Sequence, residues 1–181
     1  PATPMRRASL VLLSLCAAAA TSIRVDAQWP QFRGPNGTGI GDGAGYPVEF
    51  SPAKNVAWKA AVPFGQSSPV IAASGPAGGT RLYVTAREGE RLLTIAFDAA
   101  TGQELWRRDV RRERPMAMYK ANDPASPTPA AHADGVVAFF AEFGLVAYGA
   151  DGQVRWTYPM GPFTNFYGMS GSPILAGGMV I

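Results

Sequence analysis

The sequence predicts an all-β fold in which four-stranded antiparallel blades repeat along the chain. One stretch occurs twice, as A-F-D-A-A-T-G-Q-E-L-W at 96–106 and as A-Y-G-A-D-G-Q-V-R-W at 147–156, with Trp106 and Trp156 50 residues apart. A Ser-Pro pair recurs at residues 68–69, 126–127 and 172–173. Repeats of about 40–50 residues made of short strands are typical of a β-propeller, in which each repeat forms one blade.

The length of the chain limits the number of blades that it can hold. A closed propeller has about 4–8 blades, whereas 181 residues at about 48 residues per blade give a little over two. G-G-M-V-I at 177–181 has the pattern of a strand that is just beginning, and residues 1–4 precede Met5, the better initiator. We therefore expect a fragment of a protein with about 7–8 blades.

Residues 1–27 have the pattern of a cleavable export signal. Arg6 and Arg7 supply positive charge, residues 10–20 are apolar, and the small residues before Gln28 form a cleavage site. The apolar run is shorter than the roughly 20 residues that span a bilayer. We expect a periplasmic or secreted bacterial protein without a transmembrane segment in its mature chain.

The residues before Cys16 offer a weaker alternative to simple cleavage. Leu13-Ser14-Leu15-Cys16 resembles the lipid-attachment site of lipoproteins, but Leu15 stands where a small residue is expected. Cys16 is the only cysteine, so the mature chain cannot form an internal disulfide. Without residues 1–27 the chain has 13 basic and 12 acidic residues, which gives no electrostatic basis for binding nucleic acid.

Short runs rich in apolar, β-branched and aromatic residues, separated by turn residues, predict the strands of two blades. In the first blade, 67–110, the predicted strands are 67–73, 81–86, 92–97 and 104–110. In the second blade, 126–158, they are 126–130, 135–140, 144–148 and 153–158. Residues 170–181 begin a third blade. Residues 28–54 form a leader, and 55–62, which contain Trp58, are predicted to be a strand that closes the ring by completing a missing blade.

The stretch at 96–106 is similar to the tryptophan-docking motif of the PQQ-type propellers, which are named for pyrroloquinoline quinone. The matching residues are Ala96, Asp98, Thr101, Gly102 and Trp106. That family includes quinoprotein alcohol dehydrogenases and a propeller lipoprotein that assists the assembly of outer-membrane β-barrels. The resemblance implies structural roles: the carboxylate and the hydroxyl close the turn, and the indole packs between neighbouring blades.

The resemblance covers about residues 55–181, and its second copy is less complete. Ala147, Gly152 and Trp156 are kept, but Gly149 replaces the aspartate and the turn is one residue shorter. The leader W-P-Q-F-R-G-P-N-G-T-G at 29–39 resembles the mature N-termini of exported members of the family.

Two functions from different classes remain open at this point. The first is a binding or scaffold module at the bacterial envelope, with no catalytic residue, metal ligand or cofactor assigned. The second is a quinoprotein dehydrogenase for alcohols or sugars. The resemblance implies that such an enzyme holds pyrroloquinoline quinone between a tryptophan and a disulfide of adjacent cysteines, with calcium or a lanthanide bound by Glu, Asn and Asp. The sequence has no cysteine pair and no acidic cluster with metal-site spacing. His132, the only histidine, lies beside a predicted turn and is expected to be structural.

Two long connections carry the candidate binding residues. They separate Trp106 from Ser126 by 20 residues and Trp156 from Ser172 by 16 residues. Equivalent loops of a propeller emerge on the same face, so their aromatic residues should lie together and either bind a ligand or pack over the blades. The candidates are Tyr119, Lys120, Asn165, Phe166 and Tyr167. An envelope protein, a peptide and a carbohydrate are all open as partners.

Overall fold

The structure, a computed structural model, describes residues 28–41, 45–73 and 79–181. The predicted export signal, including Cys16, lies outside these residues. A single 3-10 turn, Pro35–Gly37, is the only helical segment in the described ranges, and every other regular element is a β-strand. The prediction of an all-β fold is confirmed.

Two four-stranded antiparallel sheets form the body of the molecule. The first blade consists of β1 (Val70–Ala73), β2 (Thr80–Glu88), β3 (Arg91–Asp98) and β4 (Glu104–Arg111). The second blade consists of β5 (Ala130–His132), β6 (Gly135–Phe140), β7 (Gly144–Gly149) and β8 (Val154–Pro159). In both sheets each strand pairs with its neighbour in sequence, as in the blades of a propeller. A third hairpin follows, made of β9 (Leu175–Ala176) and β10 (Met179–Val180).

The two blades repeat the same register at their tryptophans. Ala96 lies opposite Trp106, and Ala147 lies opposite Trp156. Immediately after each alanine the pairing shifts by one residue, which is a β-bulge in the outer strand. Because side chains alternate between the two faces of a sheet, this shift decides which face each indole occupies.

The main core lies between the two blades. Alternate residues of the first blade, including Tyr83, Leu92 and Trp106, face Val136 and Tyr148 of the second blade. Burial of each large apolar side chain stabilises the fold by about 1.5–3 kcal/mol. A second cluster, which includes Leu93, Ile95 and Phe97, covers the opposite face of the first blade.

The predicted strands at the Ser-Pro pairs are wrong in their bounds. The innermost strands begin later than predicted, at Val70 and Ala130, because prolines lack the N–H that a sheet ladder needs. The serines and threonines there form other bonds instead. The Ser67 side chain bonds to both backbone groups of Thr85, and the Ser68 N–H donates to the Thr128 hydroxyl at 2.9 Å.

The segment 55–62 forms no strand in the described structure. Its Trp58 ring packs on Phe97, on the face of the first blade opposite the main core, with the ring centroids 6.4 Å apart. The idea that this segment completes a further blade stays a prediction.

Candidate binding surface

The two turns that follow β3 and β7 receive tryptophans from neighbouring segments. Trp58 donates from Nε1 to the Ala99 carbonyl at 3.0 Å, and Trp106 donates to the Ala150 carbonyl at 2.9 Å. Gly102 and Gly152 lie under these rings with φ of 73° and 77°. A Cβ atom on either glycine would lie within 2.8 Å of an indole atom, so only glycine allows this approach.

The first of these turns is closed by a carboxylate. Asp98 Oδ1 accepts hydrogen bonds from the Thr101 hydroxyl at 2.9 Å and from the N–H groups of Thr101 and Ala100 at 2.8 and 3.0 Å. The hydrogen bonds from Thr101 hold the pKa of Asp98 below its usual value. The second turn has Gly149 at the position that corresponds to Asp98, so no carboxylate at that position accepts these hydrogen bonds.

The connection from β4 to β5, residues 112–129, is fixed at its start by a buried carboxylate. Glu142 is fully buried in the turn between β6 and β7, and its two carboxylate oxygens accept hydrogen bonds from Nε and Nη2 of Arg112. The hydrogen bonds to Glu142 raise the pKa of Arg112. Glu142 also accepts the Met116 N–H at 2.9 Å, and its backbone carbonyl accepts the Arg114 N–H at 2.9 Å.

A second buried carboxylate fixes the end of the same connection. Asp123 is almost completely buried and accepts a 2.7 Å hydrogen bond from Arg87 Nε of the first blade. The same side chain accepts the Ala125 N–H at 2.9 Å, and the Asp123 carbonyl accepts the Ser126 N–H at 2.9 Å. Residues 112–123 are therefore held at both ends by charge-assisted hydrogen bonds, which are stronger than neutral ones.

The two long connections are joined to each other by hydrogen bonds. The Tyr119 N–H donates to the Phe166 carbonyl at 2.8 Å, and Asn122 Nδ2 donates to the Tyr167 carbonyl at 2.6 Å. Gly168, which has a φ of 82°, lies against Asn122, where a Cβ atom would be 2.8 Å from its amide nitrogen. The loops thus form one unit on one side of the two blades.

Three aromatic side chains project from this unit, and we call them the aromatic surface: Tyr119, Phe166 and Tyr167. The Tyr119 ring centroid lies 6.2 Å from that of Phe166 and 6.0 Å from that of Tyr167, and the last two are 5.1 Å apart. All three are exposed, at 42%, 71% and 67%. The structure therefore brings the predicted aromatic residues together while it leaves their rings accessible.

The other two predicted residues have different environments. Asn165 Oδ1 accepts the Tyr167 N–H at 2.9 Å, so its amide holds the loop in shape. Lys120 is exposed and makes no ion pair with any residue that the structure describes. Sequence reasoning missed Asn122, Asp123 and Glu142, although a glutamate within the apolar run F-F-A-E-F-G is a signal of a buried ion pair.

A cleft of about 750 Å³ lies elsewhere, between the second blade and the third hairpin. Trp156 and Ala147 line it on one side and Leu175 and Val180 on the other. His132 stands at its edge, half exposed and 3.7 Å from Asp134. An apolar cleft of about 440 Å³ adjoins it, lined by Phe139, Leu145 and Tyr158.

The described residues contain neither of the two features that the resemblance implies for binding pyrroloquinoline quinone and its metal ion. Within 28–41, 45–73 and 79–181, no group of three or more His, Cys, Asp and Glu side chains is placed to hold a metal. Cys16 is the only cysteine in the sequence, so the disulfide of adjacent cysteines cannot form from these residues. Over the same ranges, no helix has the length and apolar character needed to cross a membrane.

The repeated sheets and the tryptophans seated on neighbouring turns define a module of the β-propeller class. A family model described as outer membrane protein assembly factor BamB, of the PQQ-like repeat type, matches residues 49–181. The chain belongs to this family, and the resemblance predicted from residues 96–106 is confirmed. A comparison with curated proteins found no match.

Proposed function

We propose that this chain is an exported binding or scaffold module of the bacterial envelope, which holds a polypeptide partner on the aromatic surface and performs no catalysis itself. The observation that carries the proposal is the exposure of Tyr119, Phe166 and Tyr167 on two loops that hydrogen-bond to each other, the first of which is fixed by two buried carboxylates. Aromatic residues held in advance in one arrangement are the usual anchors of protein interfaces, because little conformational entropy is lost when the partner binds.

The polar groups near the aromatic surface favour a polypeptide over a carbohydrate. Sugar recognition needs free amide or carboxylate groups that bond to hydroxyls while a ring stacks on the sugar. Here the amide of Asn122 and the Oδ1 atom of Asn165 are used within the loops, and the carboxylate of Asp123 is paired with Arg87. Lys120 is left as a charged group at the rim, where it would favour a partner with a nearby carboxylate.

The family supports the same class of partner. Its printed description is that of an assembly factor for outer-membrane proteins. A module of this kind would meet polypeptides in the periplasm, which agrees with the export signal predicted at residues 1–27.

Photo-crosslinking in the native envelope tests the proposal. The mature protein would carry p-benzoyl-phenylalanine in place of Phe166, or in place of the exposed Phe50 in the leader as a matched control. We expect a discrete polypeptide adduct from position 166 and none from position 50.

Phe166→Ala combined with Tyr167→Ala should lower affinity for the identified partner by at least about tenfold with little change in Tm, since each lost aromatic anchor costs about 1–2 kcal/mol or more. Equal adducts from both positions would contradict the proposal.

An enzymatic assay tests the absence of catalysis. Pyrroloquinoline quinone and calcium would be added to the mature protein, and oxidation of primary alcohols and aldose sugars would be followed with an electron-accepting dye. We expect no turnover above that of a heat-denatured sample. Cofactor-dependent turnover would replace the scaffold function with that of a dehydrogenase.

A further inference from the structure

The first part of the leader, residues 28–41, reaches the innermost strands of both blades. Trp29 and Ile71 form an antiparallel bridge in which each N–H donates to the other carbonyl, at 3.0 and 2.8 Å. The next carbonyl, that of Pro30, accepts the Ala131 N–H of β5 at 2.7 Å. Two consecutive leader residues thus bond to two different sheets.

The sequence Trp29-Pro30 suits this position. A residue before proline is restricted to extended conformations, which are those of a strand that adds to a sheet edge. Pro30 has no N–H, so it can offer β5 an acceptor without leaving a donor unpaired. β1 and β5 are the edge strands of their sheets, and without the leader the backbone groups of Ile71 and the N–H of Ala131 would be open.

A tight turn holds the Trp29 ring in place. The Gly34 N–H donates to the Gln31 carbonyl at 2.9 Å, and Gly34 is buried with a φ of 68°. A Cβ atom at this position would lie 2.5 Å from the Trp29 ring, so the indole rests directly on the glycine. The Gly39 N–H closes the loop further by donating to the Arg33 carbonyl at 2.7 Å.

The leader also passes the third hairpin. Gln28, Pro30 and Gln31 line one side of a cleft of about 550 Å³, and Leu175 and Ala176 of β9 line the other. The same short segment therefore runs across the inner ends of three successive repeats.

We propose that the inner edge formed by β1 and β5 is a binding site for an extended peptide, and that the leader of this chain fills it and clamps the two blades together. This inference is independent of the aromatic surface. Addition of a strand to a sheet edge gives affinity through main-chain hydrogen bonds, while a pocket for one side chain gives specificity. Here Trp29 makes the main-chain bonds to Ile71, and its ring rests on Gly34 in the turn of the leader itself.

The first experiment supplies the leader in trans. A mature protein that lacks residues 28–41 would be titrated with a fluorescent synthetic peptide of that sequence, followed by anisotropy. We expect saturable binding, at least about tenfold weaker for a peptide with Gly34→Ala, and none for a scrambled peptide. A scrambled peptide that binds as well as the native one would overturn the proposal.

The second experiment uses the intact mature protein, so the result does not depend on folding of the shortened chain. Hydrogen exchange at the Ile71 and Ala131 amides would be compared between the wild type and the Gly34→Ala variant. We expect exchange at these two amides to be at least about tenfold faster in the variant, with no change for Phe32→Ala, a control at an exposed leader residue. Equal exchange in the wild type and the Gly34→Ala variant would overturn the proposal.

Discussion

Among the described residues, Trp106 of the first blade is received by a turn of the second blade, whereas no equivalent turn of the third repeat receives Trp156. Trp106 and Trp156 occupy the same register, each opposite an alanine of the preceding strand. Trp106 is only 8% exposed because the turn at Ala150 receives its indole, while Trp156 is 40% exposed beside a cleft. The register of the outer strand sets the face on which the indole lies, and a turn of the following repeat buries it, as at Trp106.

Removal of the two tryptophans should separate these contributions most clearly. We expect Trp106→Ala to lower the free energy of unfolding by about 3–5 kcal/mol, as truncation of a large buried aromatic residue does. Trp156→Ala should cost about 1 kcal/mol or less, and His132→Ala, a surface control, should stay within about 0.5 kcal/mol. Urea denaturation of a protein that comprises residues 28–181 measures all three. Equal losses at the two tryptophans would show that the strand, and not the turn, determines burial.

The carboxylate of Glu142 provides a second test of the closed interface, because it ties the connection from the first blade to the second. Glu142→Gln should cost about 3 kcal/mol, since it leaves Arg112 without its buried partner. The matched change in an exposed pair, Glu49→Gln beside Lys54, should cost less than about 1 kcal/mol. Thermal unfolding followed by circular dichroism would report both values. A Glu142→Gln variant as stable as the Glu49→Gln variant would mean that the connection is held by other contacts.

Two glycines with positive φ differ in whether an added methyl group would meet a neighbouring tryptophan. Gly152→Ala should cost about 2–3 kcal/mol, because the added methyl group meets Trp106 as well as an unfavourable backbone conformation. Gly178→Ala, in the turn of the third hairpin, meets no atom within 4 Å and should cost only the backbone term of about 1–2 kcal/mol. Urea midpoints give the difference between them. A larger loss of stability for Gly178→Ala than for Gly152→Ala would contradict the idea that the contact between Gly152 and Trp106 adds to the cost.

The smallest expected effect is the pH dependence of stability that comes from Asp98 in the turn after β3. The pKa of Asp98 is lowered in the folded protein by its hydrogen bonds from Thr101. Its contribution to stability is therefore present above the unfolded pKa of about 3.9 and is lost as the pH falls through the lower folded value. We expect the wild type to be more stable than Asp98→Asn at pH 6 and the gap to narrow as the pH falls below about 4. Urea midpoints at a series of pH values test this, and a gap that widens in acid would contradict it.

The repeat and its aromatic loops could be predicted from the sequence because their signals are local. Runs of apolar residues bounded by turn residues define β2, β3, β6 and β7, and the equivalent places of the two connections in the repeat indicated that they meet. The bounds of β1 and β5 were missed because serine and threonine side chains take over bonds that a ladder would make. The contacts of Asn122, Asp123 and Glu142 join residues 26–45 positions apart, so even where the sequence signals a buried charge, as at Glu142, it does not identify the partner.

The bulges after Ala96 and Ala147 have a consequence for how blades follow one another. Without the extra residue in each outer strand, Trp106 and Trp156 would move to the opposite faces of their sheets. Trp58 is seated on the first blade and Trp106 on the second, so each indole points forward along the chain. The turn of the first blade, residues 99–103, is one residue longer than that of the second, residues 150–153, but the face of the indole is the same because the bulge lies between the turn and the tryptophan. The bulge residue of each outer strand thus places the tryptophan on the face that packs against the next blade in sequence. The length of the preceding turn can change without moving the indole to the other face.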